Sequence, residues 1–139
     1  MRIVLDTNVL VSALINPHGS PASVLRLVLA GAATLVADER ILMEYEEVAR
    51  RPHIGIAAHA LDDIFAVLRD EAEIVTATVV VTGVPDCDDA AFIEVALTAQ
   101  PDALVTGNKK HFPAAACRGI ALCSPVEFLK KMAGQKNRK

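Results

Sequence analysis

Short, wholly apolar segments alternate along this chain with longer segments of helical period, and few folds accommodate that order. Ile3-Val4-Leu5, Thr34–Ala37, the segment 103–106 and the segment 120–123 are small-aliphatic or β-branched runs bounded by polar residues. Such runs read as strands covered on both faces, which is how parallel strands are buried. Between them the pattern predicts helices over 8–15, 22–30 and about 57–70, and over 88–99, where Phe92, Val95, Ala96 and Ala99 follow the helical period. Asp38 is placed to cap a helix running through Arg50, and Arg51-Pro52-His53 ends it. The stretch 74–81 reads as one or two β segments, and Ser124-Pro125 opens a last helix of about two turns. Strands alternating with helices imply an α/β fold, a three-layer α/β/α sandwich around a central parallel sheet with right-handed connections.

At 139 residues the chain has the size of one domain with a real core. We expect that domain over 1–131, followed by a basic, disordered tail over 132–139. No Trp, one Tyr and four Phe leave little from which to build a base-stacking platform for single strands. A net charge of −3 argues against a non-specific nucleic-acid coat but leaves room for an acidic catalytic centre. Cys87, Cys117 and Cys123 form no Cys-x-x-Cys pair and read as reduced thiols. With no signal-peptide core and no apolar run near the roughly 18 residues of a membrane span, the expectation is a cytoplasmic protein with no membrane partner.

Acidic residues gather at three places: Asp6 at the end of the first strand, Glu44, Glu46 and Glu47 on one helix, and Asp86, Asp88 and Asp89 at a helix start. Asp6 either caps the next helix or serves chemistry at the carboxyl end of a strand, where open α/β sheets bind ligands. Glu44 and Glu46 border opposite edges of the buried stripe of their helix, and periodicity does not choose between them. One acid suffices to cap a helix, and 86–89 offers three. Two unit charges about 4 Å apart repel by roughly 4 kcal/mol at an effective dielectric of about 20. Converging carboxylates therefore call for a hard cation, Mg²⁺ or Mn²⁺, and the scattered histidines offer no zinc pattern.

Four segments in order, Leu5-Asp6-Thr7-Asn8-Val9-Leu10-Val11-Ser12, Glu44-Tyr45-Glu46-Glu47-Val48 with Arg51-Pro52, Asp86-Cys87-Asp88-Asp89, and Leu104-Val105-Thr106-Gly107-Asn108-Lys109-Lys110-His111, give the chain its resemblance. It resembles the PIN-domain ribonucleases, especially bacterial toxins of toxin–antitoxin pairs. The resemblance implies a metal-dependent ribonuclease using Mg²⁺ or Mn²⁺. It maps Asp6, Glu44 and Asp89 to the acidic triad, with Asp86 as a further ligand. Thr7, Asn8, Ser12 and Asn108 would support the carboxylates or a metal-bound water, and Lys109, Lys110, Arg50 and Arg51 would contact RNA phosphates. The implied partners are the RNA substrate, a cognate antitoxin protein and a second copy in a homodimer.

One departure stands out. Many members carry a fourth Asp after the strand ending in Thr106, where this chain has Asn108 and His111. That departure favours an alternative, a catalytically weak PIN-like module acting through protein or RNA binding. A haloacid-dehalogenase-type phosphatase would need a second Asp where Asn8 stands, and a receiver domain would need an acidic pair near the first strand.

Overall fold

The computed structural model describes residues 1–136. Five parallel strands form one sheet in the order β3-β2-β1-β4-β5: β1 Arg2–Leu5, β2 Thr34–Ala37, β3 Glu73–Ile74, β4 Ala103–Val105 and β5 Leu122–Cys123. The two central strands are the most apolar. Ile3, Val4, Leu5, Ala103, Leu104 and Val105 are all fully buried. Burying each Leu, Ile or Val is worth about 1.5–3 kcal/mol, so this pair anchors the core.

Helices cover both faces, as the alternation predicts. The segments α1 Thr7–Ile15, α2 Ser20–Leu29, α3 Glu39–Ala49 and α4 Ala58–Glu71 pack on one another, and α7 Pro125–Lys136 packs on α2. The chain then crosses back from β3 to β4 through α5 Ala90–Ala99, which lies on β1 and β2 and meets the short α6 Ala114–Cys117. A right-handed return crossover puts α5 on the face opposite α1–α4, completing the three layers. Ile41, Leu42, Tyr45 and Ala49 form the buried stripe of α3, and Asp38 accepts the Ile41 amide at 3.0 Å as its N-cap.

The structure departs from the sequence expectation at four places. Over 74–81 only Ile74 is in a strand. Val75 still donates to the Ala37 carbonyl, but β2 ends at Ala37 because Asp38 starts α3, so no ladder partner remains beyond it. The last strand is two residues long, matching the end of β4 in register at Val105 and Cys123. A 3-10 turn over Cys87–Asp89 precedes α5, which begins at Ala90. Finally, α7 runs three turns rather than two, with Met132 packed against the core, so the expected tail over 132–139 is helical as far as Lys136. The rest of that tail, 137–139, lies outside the described residues.

Candidate active site

Strand order reverses beside β1. The chain leaves β1 for β2 and β3 on one side and returns to β4 and β5 on the other. The crevice beyond the carboxyl ends of β1 and β4 is therefore the switch point at which sheets of this kind bind ligands. Asp6 follows β1 directly and Thr106 follows β4, and both are buried. The Asp6 amide donates to the Val105 carbonyl at 3.0 Å, so the ladder reaches into the site and fixes the Asp6 backbone.

The helix-cap reading of Asp6 fails on geometry. Its side chain makes no capping hydrogen bond to α1, and its Oδ2 instead accepts the Thr106 hydroxyl at 2.8 Å. Burial raises the Asp6 pKa. The Thr106 hydrogen bond and the nearby Asn8 amide oppose that rise without cancelling it.

The choice between Glu44 and Glu46 is equally clear. Glu44 accepts the Thr7 hydroxyl through Oε2, while Glu46 faces away, paired with Arg69 at 3.4 Å and Arg50 at 3.9 Å. Tyr45 sets this orientation: fully buried, its hydroxyl donates to the Leu5 carbonyl and ties α3 to the end of β1. Burial raises the Glu44 pKa, and the charges of Asp88, Asp6 and Asp86 raise it further against the Thr7 hydrogen bond.

Asp89 completes the group from the turn before α5. It makes no capping hydrogen bond to that helix, and its Oδ2 is buried without any hydrogen-bond partner. Its pKa is pushed up to about 6, first by burial and then by the charges of Asp6 and Asp86. Asp86 is exposed, and its Oδ1 accepts the Asp88 amide at 3.0 Å, which shapes the turn. Three separated stretches of chain thus bring Asp6, Glu44 and Asp89 within electrostatic reach of one another, with Asp86 and Asp88 beside them.

The other residues singled out by sequence divide. Thr7 supports a carboxylate, but the Asn8 and Ser12 side chains are exposed and make no hydrogen bond to one among the described residues. Asn108 meets His111 rather than a carboxylate, at 3.0 Å. Lys109 is held by Glu127 at 2.7 Å, Arg50 by Asp62 at 2.7 Å and Arg51 by Glu47 at 2.8 Å. Lys110 is exposed.

Sequence reasoning missed Thr106, Tyr45 and an ion triad on the rim. The Arg40 guanidinium bridges Asp38 and Glu94, at 2.7 and 2.8 Å, and the other Glu94 oxygen accepts the Val81 amide at 2.9 Å. Arg40 and Glu94 border a cleft of about 450 Å³ that opens beside Glu44 and Asp88 over Phe92. The available signal was Glu94 itself, the one charged residue on α5.

As to metal, the donors are carboxylate oxygens, the set a hard divalent cation takes. An orphaned buried oxygen on Asp89 and raised pKa values on all three acids mark a site short of positive charge. Among the described residues, no group of three or more His, Cys, Asp or Glu side chains is spaced to hold an ion as it stands. Nor, among the described residues, is any helix long and apolar enough to cross a membrane.

Comparison with known proteins agrees with the fold. The chain is similar to one in the crystal structure of VapBC2 from Rickettsia felis bound to a DNA fragment from their promoter, with a TM-score of 0.55 and 17% identity over 89% of this chain and 98% of that one. No curated protein matches the sequence. The sequence profile of the PIN domain matches residues 2–110, which include Asp6, Glu44, Asp89 and the turn after β4 as far as Lys110. The chain belongs to the PIN domain family.

Proposed function

We propose that this protein is a Mg²⁺- or Mn²⁺-dependent ribonuclease, the toxin of a toxin–antitoxin pair. The observation that carries the reading is the convergence of Asp6, Glu44 and Asp89 at the switch point, with the buried Asp89 Oδ2 lacking a partner. Thr106 and Thr7 each donate to one oxygen of a carboxylate, holding Asp6 and Glu44 in fixed orientation. Asp6, Glu44 and Asp89, with Asp86 as a further donor, would hold the cation. A divalent ion there supplies an activated water and neutralises charge on the phosphoryl oxygens. Lys109, Lys110, Arg50 and Arg51 would meet the RNA backbone, where such contacts position a substrate without reading its sequence.

Likeness to the VapBC2 chain supports an antitoxin as partner, and a cytoplasmic homodimer is the expected working form. Cleavage of RNA in the presence of Mn²⁺ by the wild type, lost in Asp6→Asn, tests the proposal. A second reading, a PIN-like module acting mainly by binding, is favoured by Asn108 and His111 in place of an acid and by carboxylates not yet spaced to hold an ion. It predicts RNA or protein binding without metal-dependent cleavage.

A further inference from the structure

The turn after β4 carries no carboxylate, yet it reaches two of the three acids of the site. The Thr106 hydroxyl accepts the Asn108 amide at 3.0 Å, and its own hydrogen goes to Asp6 Oδ2 at 2.8 Å. The Asn108 side chain is oriented by Lys110. That residue's backbone amide, which only donates, lies 3.3 Å from the carboxamide oxygen, so the other end of the carboxamide is its NH₂. The NH₂ stands 3.0 Å from His111 Nε2 and also only donates, so Nε2 is a bare acceptor. A neutral imidazole with a bare Nε2 keeps its proton on Nδ1. That nitrogen lies 3.5 Å from Asp89 Oδ2, the buried oxygen with no hydrogen-bond partner. The ion pair of Lys109 with Glu127 fastens the same turn to the first turn of α7, where Ser124 and Glu127 form a reciprocal capping box.

We infer that Asn108 fixes His111 as its Nδ1–H tautomer, and that His111 so fixed is a positioning residue for Asp89. The inference rests on reading the site as a metal centre. One turn then reaches two metal-binding carboxylates with neutral groups and no added negative charge, Asp6 through the Thr106 hydrogen bond and Asp89 across the 3.5 Å from His111 Nδ1. Donors of this kind orient a ligand and set how well it binds, and their loss typically weakens metal affinity about 10–100-fold.

The tautomer is read directly from long-range ¹H–¹⁵N spectra of the full-length, metal-free protein at mildly alkaline pH. The expected pattern is a protonated Nδ1 and an unprotonated Nε2 for His111, lost in Asn108→Ala; a protonated Nε2 in the wild type overturns the inference. Titration calorimetry with Mn²⁺ tests the positioning. The Asn amide nitrogen falls near the place of Nδ1, and that of Gln near Nε2. His111→Asn should therefore keep affinity within about threefold, whereas His111→Ala and His111→Gln should lose about tenfold or more. Unchanged affinity in His111→Ala, or rescue by Gln as good as by Asn, overturns it. Absence of RNA cleavage with Mn²⁺ binding and the tautomer intact would sink the ribonuclease reading alone.

Discussion

Among single residues, Asp89 shows most plainly how the site strains the fold that carries it. Its carboxyl, pushed up to about 6 by burial and by Asp6 and Asp86, binds its proton more tightly folded than unfolded. The unfolded chain gives up that proton near pH 4, so this group's contribution to stability falls as pH rises between about 4 and 6 and stays low above. Asp89→Asn removes the charge. The metal-free variant should exceed the wild type by about 1 kcal/mol at pH 7, after allowance for solvent screening, with little difference near pH 4. Urea unfolding at the two pH values checks this, and a variant less stable at both contradicts it. On the proposed reading, a cation bound there would reverse the penalty. Excess Mn²⁺ should raise the melting temperature of the wild type, by about 2.7 kcal/mol of stability at 100 times Kd, and leave Glu44→Gln nearly unmoved. Equal stabilisation of the two proteins in a thermal scan would remove Glu44 from the ligand set. Residue identity at this scale was legible in part. Asp6 stood out at a strand end, but Glu44 and Glu46 share one helix and similar flanks. Only Thr7, Arg69 and the Tyr45 anchor, all set by tertiary packing, separate them.

The element least legible in the sequence is the segment that follows β3. Val79, Val80 and Val81 have strand chemistry, but strand formation needs a neighbour with free ladder groups, and β2 has ended. A buried carboxylate takes the place of the ladder: Glu94 on α5 accepts the Val81 amide while Arg40 on α3 neutralises it. This clasp fixes the chain just ahead of the turn that bears Asp86 and Asp89. Arg40→Ala leaves Glu94 and Asp38, whose side chains are 8% and 9% exposed, without their cation. Removing one partner of a buried pair is strongly destabilising, and with Arg40 itself half exposed the loss should be about 2 kcal/mol. Amide exchange at Val81 should accelerate well beyond that of β1. Exchange unchanged at Val81 would show that the clasp does not hold the segment. The long helices and central strands, by contrast, were legible because their period and boundaries are local properties.

At the scale of the whole molecule, function follows from where the strand order reverses. A parallel sheet numbered 3-2-1-4-5 leaves one crevice between β1 and β4, and the chain ends β1 with Asp6 and β4 with Thr106. Alternating strands and helices made the layered sandwich readable from sequence, while strand order depends on which edges pair, a non-local choice that no single segment encodes. Membership of the PIN domain family and likeness to the VapBC2 chain accord with that fold. The central claim is that these acids exist to hold a cation that cleaves RNA, and it is tested most directly by incubating RNA with Mn²⁺ and either wild type or Asp6→Asn. The account predicts cleavage by the wild type that disappears with a chelator, and a loss of about 10²-fold or more in the variant despite intact folding. Indistinguishable, metal-independent cleavage by the two proteins would contradict it.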